Sequence, residues 1–123
     1  MSQAYELGRQ GEEIATEYLI NKDFKILERN WHFGKLELDI IAIDTKNDTL
    51  AFVEVKTRSA NYWVEPELSL TKKQQRFLIK AANAYIDTHS YDMEARFDII
   101  SIVIHPQGKE IKHIDEAFYP YME

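Results

Sequence analysis

The residues of this chain best suited to chemistry are Asp39 and, fifteen positions later, the triplet Glu54-Val55-Lys56. Side chains alternate across a β-strand, so residues of like parity share a face. Residues 36–43 and 50–57 read as strands, separated by the turn composition Asp44-Thr45-Lys46-Asn47-Asp48. A hairpin centred on Lys46-Asn47 sets Asp39 opposite Glu54 and Glu37 opposite Lys56. Directly opposed Cβ atoms lie roughly 4.5–5.5 Å apart and point to the same side. Two carboxylates so placed repel, and one pKa rises unless a cation offsets the charge. Mg²⁺ is a natural partner, because it takes one or two carboxylates together with waters and phosphate oxygens. Lys56 shares the face of Glu54 and could hold the attacking water or meet charge on a phosphorane. Together these groups form a minimal kit for phosphodiester hydrolysis. Mixed charge is also ordinary on a solvated sheet face, and Glu37 with Lys56 alone would be an unremarked cross-strand pair. The like-charged pair is what that plainer reading does not explain.

Other residues could join this centre. Glu12 follows Gly11 in an amphipathic segment, where spacing alone makes it a solvated neighbour of Glu13 and Glu17. Gly8 and Gly11 each weaken that segment as a helix by about 1 kcal/mol relative to Ala, which points to close approach by another element or a ligand. The net charge of -6 argues mildly against a nucleic-acid partner. The charge is uneven, however. Residues 56–80 carry six Lys/Arg against two Asp/Glu. Lys72, Arg76 and Lys80 recur at four-residue spacing on one helical face, with Lys73 beside them. With Lys56 and Arg58 they form either a solvated face or a stripe that tracks phosphates. Tyr62 and Trp63 could stack on bases or plug the core.

These groups need a scaffold. Leu7, Ile14, Ala15, Tyr18 and Leu19 give residues 4–21 a helical period. Large apolar side chains make 24–33 a strand, followed by those at 36–43 and 50–57. A loop at 58–68 leads to a second helix over 72–88, where Thr71 and Gln74 fit a capping box. Leu70, Phe77, Leu78, Ala81, Ala82 and Tyr85 read as its apolar face. Residues 97–104 are a nearly continuous apolar strand, and 110–114 a short edge strand after the turn Pro106-Gln107-Gly108-Lys109. The order α-β-β-β-α-β-β predicts one α/β domain over residues 1–123, a mixed central sheet flanked by helices. There is no cysteine, so disulfides and Cys-ligated metals are excluded. The four histidines show no ligand spacing. No apolar run reaches membrane-span length and the N-terminus does not read as a signal peptide, so a cytoplasmic protein without a membrane partner is expected.

Several stretches, taken together, carry a family resemblance. They are Gly8-Arg9-Gln10-Gly11-Glu12 with Ala15, Tyr18 and Leu19; Arg29-Asn30; Glu37-Leu38-Asp39-Ile40-Ile41-Ala42; and Phe52-Val53-Glu54-Val55-Lys56-Thr57-Arg58. Lys72-Lys73-Gln74, Ala81-Ala82 with Tyr85, and Arg96-Phe97-Asp98-Ile99 complete the set. Over residues 7–103 the chain resembles the YraN-like family of small bacterial proteins, regarded as candidate endonucleases. That family is similar to archaeal Holliday-junction resolvases and to the restriction-endonuclease-like superfamily with its PD-(D/E)xK signature.

The resemblance implies that Asp39 and Glu54 are metal carboxylates for Mg²⁺ or Mn²⁺, with the Val55 carbonyl a further ligand and Lys56 the signature lysine. It also implies that Glu12 is an active-site carboxylate and that Gln74 or Gln75 approaches the site. The expected activity is metal-dependent cleavage of DNA, of branched or damaged structure, and a homodimer fits the two-fold substrates of the resolvases. Two features depart from the family pattern. Gly34-Lys35-Leu36 precedes Glu37 where Gly-Glu-x-Asp is common, and Tyr62-Trp63 replaces an aromatic-Gly pair. Both bear on substrate geometry and neither on the proposed ligands. Two other readings remain open: a nucleic-acid-binding module of the same fold without turnover, and a protein-interaction adaptor using the acidic C-terminal half.

Overall fold

Helix α1 (Gln3–Asn21) forms where the period is helical, and it buries Gly11, Ala15 and Leu19, each four residues apart. It leads into a run of three strands, β1 (Phe24–Phe33), β2 (Leu36–Asp44) and β3 (Thr49–Ser59). Helix α2 (Lys72–His89), β4 (Glu94–His105) and β5 (Gly108–Phe118) follow. This computed structural model describes residues 3–60 and 69–119. The readings at Tyr62, Trp63 and Pro66 lie outside the described residues. The expected order α-β-β-β-α-β-β is the one observed.

The sheet order is β1-β2-β3-β4-β5. β1, β2 and β3 form an antiparallel meander, and β5 pairs antiparallel with β4. β3 and β4 pair in parallel from Thr49↔Glu94 to Ser59↔Ile104, with α2 as the crossover between them. A strand buried on both sides loses its polar alternation. β3 and β4 are such strands: Leu50 to Val53 and Phe97 to Val103 are all buried.

The two faces hold separate cores. On one, Ala15 and Leu19 of α1 pack on Ile40, Ala42, Ala51, Val53, Ile100 and Ile102. On the other, Ala81, Ala82 and Tyr85 of α2 pack on Leu38, Ile41, Leu50, Phe52 and Phe97. The face carrying Phe52, Glu54 and Lys56 is therefore covered by α2 at Phe52 and opens only beyond it. Helix α2 starts with the expected capping box: Thr71 Oγ1 accepts from the Gln74 amide at 3.1 Å, and the Thr71 amide donates to Gln74 Oε1 at 2.8 Å. It ends at Ser90, which takes the left-handed conformation at φ 56°.

Three expectations need correction. Phe77 is not part of the apolar face, since 49 % of it is exposed while Leu78 beside it packs inward. Gly8 meets nothing within 4 Å, so only Gly11 marks a close approach. The edge strand is longer than 110–114, because outward Lys, Glu and Asp side chains dilute its apolar pattern without weakening its ladder to β4.

Candidate functional site

The β2–β3 ladder runs from Asp44↔Thr49 to Ile40↔Val53, the register expected from the turn. Asp39 is the next residue, and it meets β3 through its side chain: Oδ2 accepts the Val55 amide hydrogen bond at 2.9 Å. β2 changes face at this point. Ile40 packs toward α1 and Leu38 toward α2, although residues two apart in a regular strand share a face. The neighbouring strand turns at the matching position. Arg29, opposite Ile40, pairs with Glu13 of α1 at 3.0 Å, whereas Trp31, opposite Leu38, packs edge-on against Tyr85 of α2. Asn30 between them has φ 52°, a conformation that Asn tolerates better than most residues. This local irregularity places an acid at the strand margin, where its carboxylate is aimed at β3.

Asp39 and Glu54 have their carboxyl groups within hydrogen-bond reach of one another. Both are half-buried. Burial pushes the Asp39 carboxyl up to about 8, reinforced by the charges of Glu54 and Glu12 and opposed by the Val55 amide. Burial also raises Glu54, with Glu37 and Glu12 adding to the effect and the Asp39 hydrogen bond and Lys56 opposing it. The physical content is a pair that shares a proton near neutral pH, because two adjacent half-desolvated carboxylates cannot both ionise cheaply.

Glu12 is half-buried and near enough for its charge to be felt by both acids. The reason lies in Gly11. A Cβ there would stand 1.8 Å from Thr57 Oγ1, so α1 rests directly on β3 and carries the next residue toward this end of the sheet. Lys56 eases Glu54 through space while its Nζ donates to the Ser69 carbonyl just before α2. A groove of about 210 Å³ opens beside the acids, lined by Lys35, Glu37, Asp39, Glu54, Gln74 and Phe77 among others. Gln74 reaches this groove, but its side chain is engaged in the capping box. Gln75 instead donates to the Leu70 carbonyl at 3.0 Å. Lys72, Lys73, Arg76 and Lys80 are exposed along α2, and Arg58 is half-buried on β3. The structure thus brings together Asp39, Glu54, Lys56 and Glu12. Sequence reasoning missed Phe77 and Lys35 as groove residues.

Two hard oxygen donors at a shared position, both made reluctant to ionise by burial and by each other, fit a divalent cation that takes its remaining ligands from water and substrate. They do not form a protein cage: among the described residues no group of three or more His, Cys, Asp or Glu is placed to hold a metal. Mg²⁺ or Mn²⁺ suits this arrangement better than Zn²⁺, which prefers N and S ligands.

A second charged cluster, also missed in the sequence, lies at the far end of β2. Arg96 Nη1 donates to Asp44 Oδ2 at 2.8 Å and its Nε to Asp98 Oδ1 at 3.0 Å. His113 Nε2 lies 2.8 Å from Asp98 Oδ2, and Tyr18 Oη 3.2 Å from His113 Nδ1. The available signal was the Arg96-x-Asp98 spacing, which puts both side chains on one face of a strand.

Comparison of its sequence with known proteins places this chain among relatives. Residues 11–102 match the sequence model of the "Uncharacterised protein family UPF0102". A UPF0102 protein of Phocaeicola vulgatus is 45 % identical over 120 residues, spanning 98 % of each chain. One from Christiangramia forsetii is 44 % identical, covering 97 % of this chain and 98 % of its own. One from Parabacteroides distasonis is 40 % identical, covering 97 % of each.

Proposed function

The chain belongs to the UPF0102 family, and from the geometry of its acid pair we propose that it is a divalent-metal-dependent endonuclease that hydrolyses phosphodiester bonds of DNA. One observation carries this reading: Asp39 and Glu54 meet at the margin of the β2–β3 ladder with the Asp39 carboxyl pushed up to about 8. A strained acid pair in an open groove is what a structural role would avoid and a cation-binding role requires.

Asp39 and Glu54 would hold Mg²⁺ or Mn²⁺, with the Val55 carbonyl as a further donor. When bound, the metal supplies Lewis-acid polarisation of the phosphodiester and a more acidic water. The chain's own residues do the rest. The Val55 amide fixes the orientation of Asp39. Lys56 brings a positive charge beside Glu54, where charge on the reacting phosphate would develop. Glu12 adds negative charge from the α1 side and so strengthens the preference for a cation. Arg58, Lys72, Lys73, Arg76 and Lys80 would follow the phosphate backbone. Branched or damaged DNA is the substrate that the resolvase likeness favours, and a homodimer would match its symmetry.

The test is a panel of labelled single strands, duplexes and junctions incubated with Mg²⁺ or Mn²⁺, beside an Asp39→Ala control. Metal-dependent cleavage lost in the control is the expected result. Salt-dependent binding without cleavage would leave a nucleic-acid-binding module instead. Absence of both metal binding and DNA binding would point to an adaptor.

A further inference from the structure

Phe77 departs from the logic of its own helix. Its neighbours Leu78, Ala81 and Ala82 pack toward the sheet, yet Phe77 leaves 49 % of its surface exposed. Single exposed apolar residues are common, so exposure alone decides nothing. Placement does. The ring lines the same groove as Asp39 and Glu54. The Lys73 ammonium lies 5.7 Å from its centroid. Lys35, exposed, lines the groove as well. One groove therefore combines the acids Glu37, Asp39 and Glu54 with an aromatic face and Lys35, and the Lys73 ammonium stands over that aromatic ring.

We propose that Phe77 is a stacking platform for an unpaired nucleobase beside the phosphodiester held at Asp39 and Glu54. The substrate would then be a nucleic acid with single-stranded character at the cleaved position. The proposal rests on the nuclease reading above and narrows it. A base inside a duplex is stacked on both sides by its neighbours, so a protein ring can cover its face only where it is unpaired or splayed out. Base–aromatic stacking tolerates any base, because every base has a π-face. Lys73 contributes twice: its charge is favourable over one side of the ring, and an ammonium at that distance can meet the backbone phosphate of the stacked nucleotide. A groove made for an apolar protein segment would not need an ammonium over its aromatic ring and a second lysine in its wall.

The experiment measures fluorescence anisotropy of two ligands in Ca²⁺ buffer, a single-stranded oligonucleotide and a hairpin-capped duplex of the same sequence. They are titrated with the full chain and with Phe77→Ala, Phe77→Leu and Phe77→Trp. Phe77→Ala should weaken single-strand binding roughly 5- to 150-fold and change duplex binding by less than about twofold. Phe77→Trp should bind like the parent. Phe77→Leu, which keeps the apolar packing but not the ring, should behave like Phe77→Ala. Equal losses on both ligands, or full binding by Phe77→Leu, would overturn the stacking role while leaving metal-dependent cleavage to stand on its own assay. A concentration-dependent dimer that disappears in Phe77→Ala, read by sedimentation, would assign the ring to a second copy and overturn it too. Failure of the parent chain to bind either ligand at low salt would remove both readings together.

Discussion

Strand β2 carries two aspartates, Asp44 at its end and Asp39 where its ladder to β3 stops, and the two are treated in opposite ways. Asp44 is joined to Asp98 through Arg96, which donates to both. That network holds the Asp44 carboxyl below its usual range: burial opposes, but the Asn47 and Arg96 hydrogen bonds and the Arg96 charge win. Asp39 faces Glu54, and its carboxyl rises to about 8. The nearest help there, Lys56, gives its hydrogen bond to Ser69. The difference teaches where a fixed cation belongs. An acid pair needed for architecture is locked by an arginine. On the metal-binding reading proposed above, a pair meant to exchange a soluble cation is left with its repulsion, at a cost in stability.

The largest expected effect tests the locked pair. Arg96→Met takes the shared cation from Asp98, whose side chain is fully buried and keeps His113 and the Glu116 amide, and from Asp44, which is 6 % exposed and keeps Asn47. Breaking one side of a buried ion-pair network typically costs about 3–5 kcal/mol. Denaturant unfolding at pH 7 should show a loss of that size. A loss below about 1 kcal/mol would mean that the two pairs are not energetically different after all.

The next effect is on turnover. Lys56→Ala should lower cleavage roughly 10²–10³-fold, the usual consequence of removing an electrostatic stabiliser. Metal affinity, measured by calorimetry at pH 8, should be unchanged or tighter because a neighbouring positive charge is gone. Weaker metal binding together with a lower melting temperature would instead make the Lys56–Ser69 hydrogen bond the residue's main role.

A smaller effect separates the acid pairs by pH. The Asp39 carboxyl is raised in the fold, so the folded state binds more protons than the unfolded chain between about pH 4 and pH 8. Its contribution to stability is complete below about pH 4 and is lost as pH rises toward 8, by at most about 1.4 kcal/mol per pH unit. Asp44 works the other way, and its contribution is lost only as pH falls through the acid range. Asp39→Asn mimics the protonated form, since its amide can still accept from Val55 and donate to Glu54. Without metal, the Asn variant should match the parent below about pH 4 and exceed it progressively as pH rises toward 8. Metal affinity of the parent should rise with pH up to about 8, with release of a proton on binding. If the variant melts lower than the parent at pH 8, Asp39 is an ordinary structural acid.

How much of this was legible depended on how local the cause is. The hairpin register was readable because a five-residue polar turn lies between two strands of clear parity, and the ladder follows it. Helix α2 was readable from Thr71 and Gln74. Phe77 was misjudged because a helical apolar stripe does not show where the sheet beneath it ends. The change of face at Asp39 coincides with a left-handed residue, Asn30, in another strand. The Arg96 network joins residues 52 positions apart, through a parallel pairing that no local pattern reveals. The roles proposed for Asp39, Glu54, Lys56 and Glu12 came from parity, spacing and likeness, and geometry adds that these side chains gather where the β2–β3 ladder stops.

The smallest effect concerns how α1 reaches that end. Gly8 and Gly11 look alike in sequence, and each should weaken the helix similarly. Only Gly11 is committed. Its added Cβ would lie 1.8 Å from Oγ1 and 2.7 Å from Cβ of Thr57. Threonine is short and β-branched, so no rotamer clears the contact, and α1 must lift from β3. Gly11→Ala should therefore lose about 1–3 kcal/mol, as overpacking does. Because Glu12 is adjacent, metal affinity should change with it. Thr57→Ala in the same chain should restore only part of the loss, since its own Cβ stays in place. Gly8→Ala meets nothing within 4 Å. It should gain about 0.5–1 kcal/mol from helix propensity alone and leave metal affinity untouched. The pair of substitutions thus separates a glycine that merely weakens a helix from one that sets where the helix, and the charge of Glu12, can sit. Equal effects of the two on metal affinity would detach Glu12 from the acid pair.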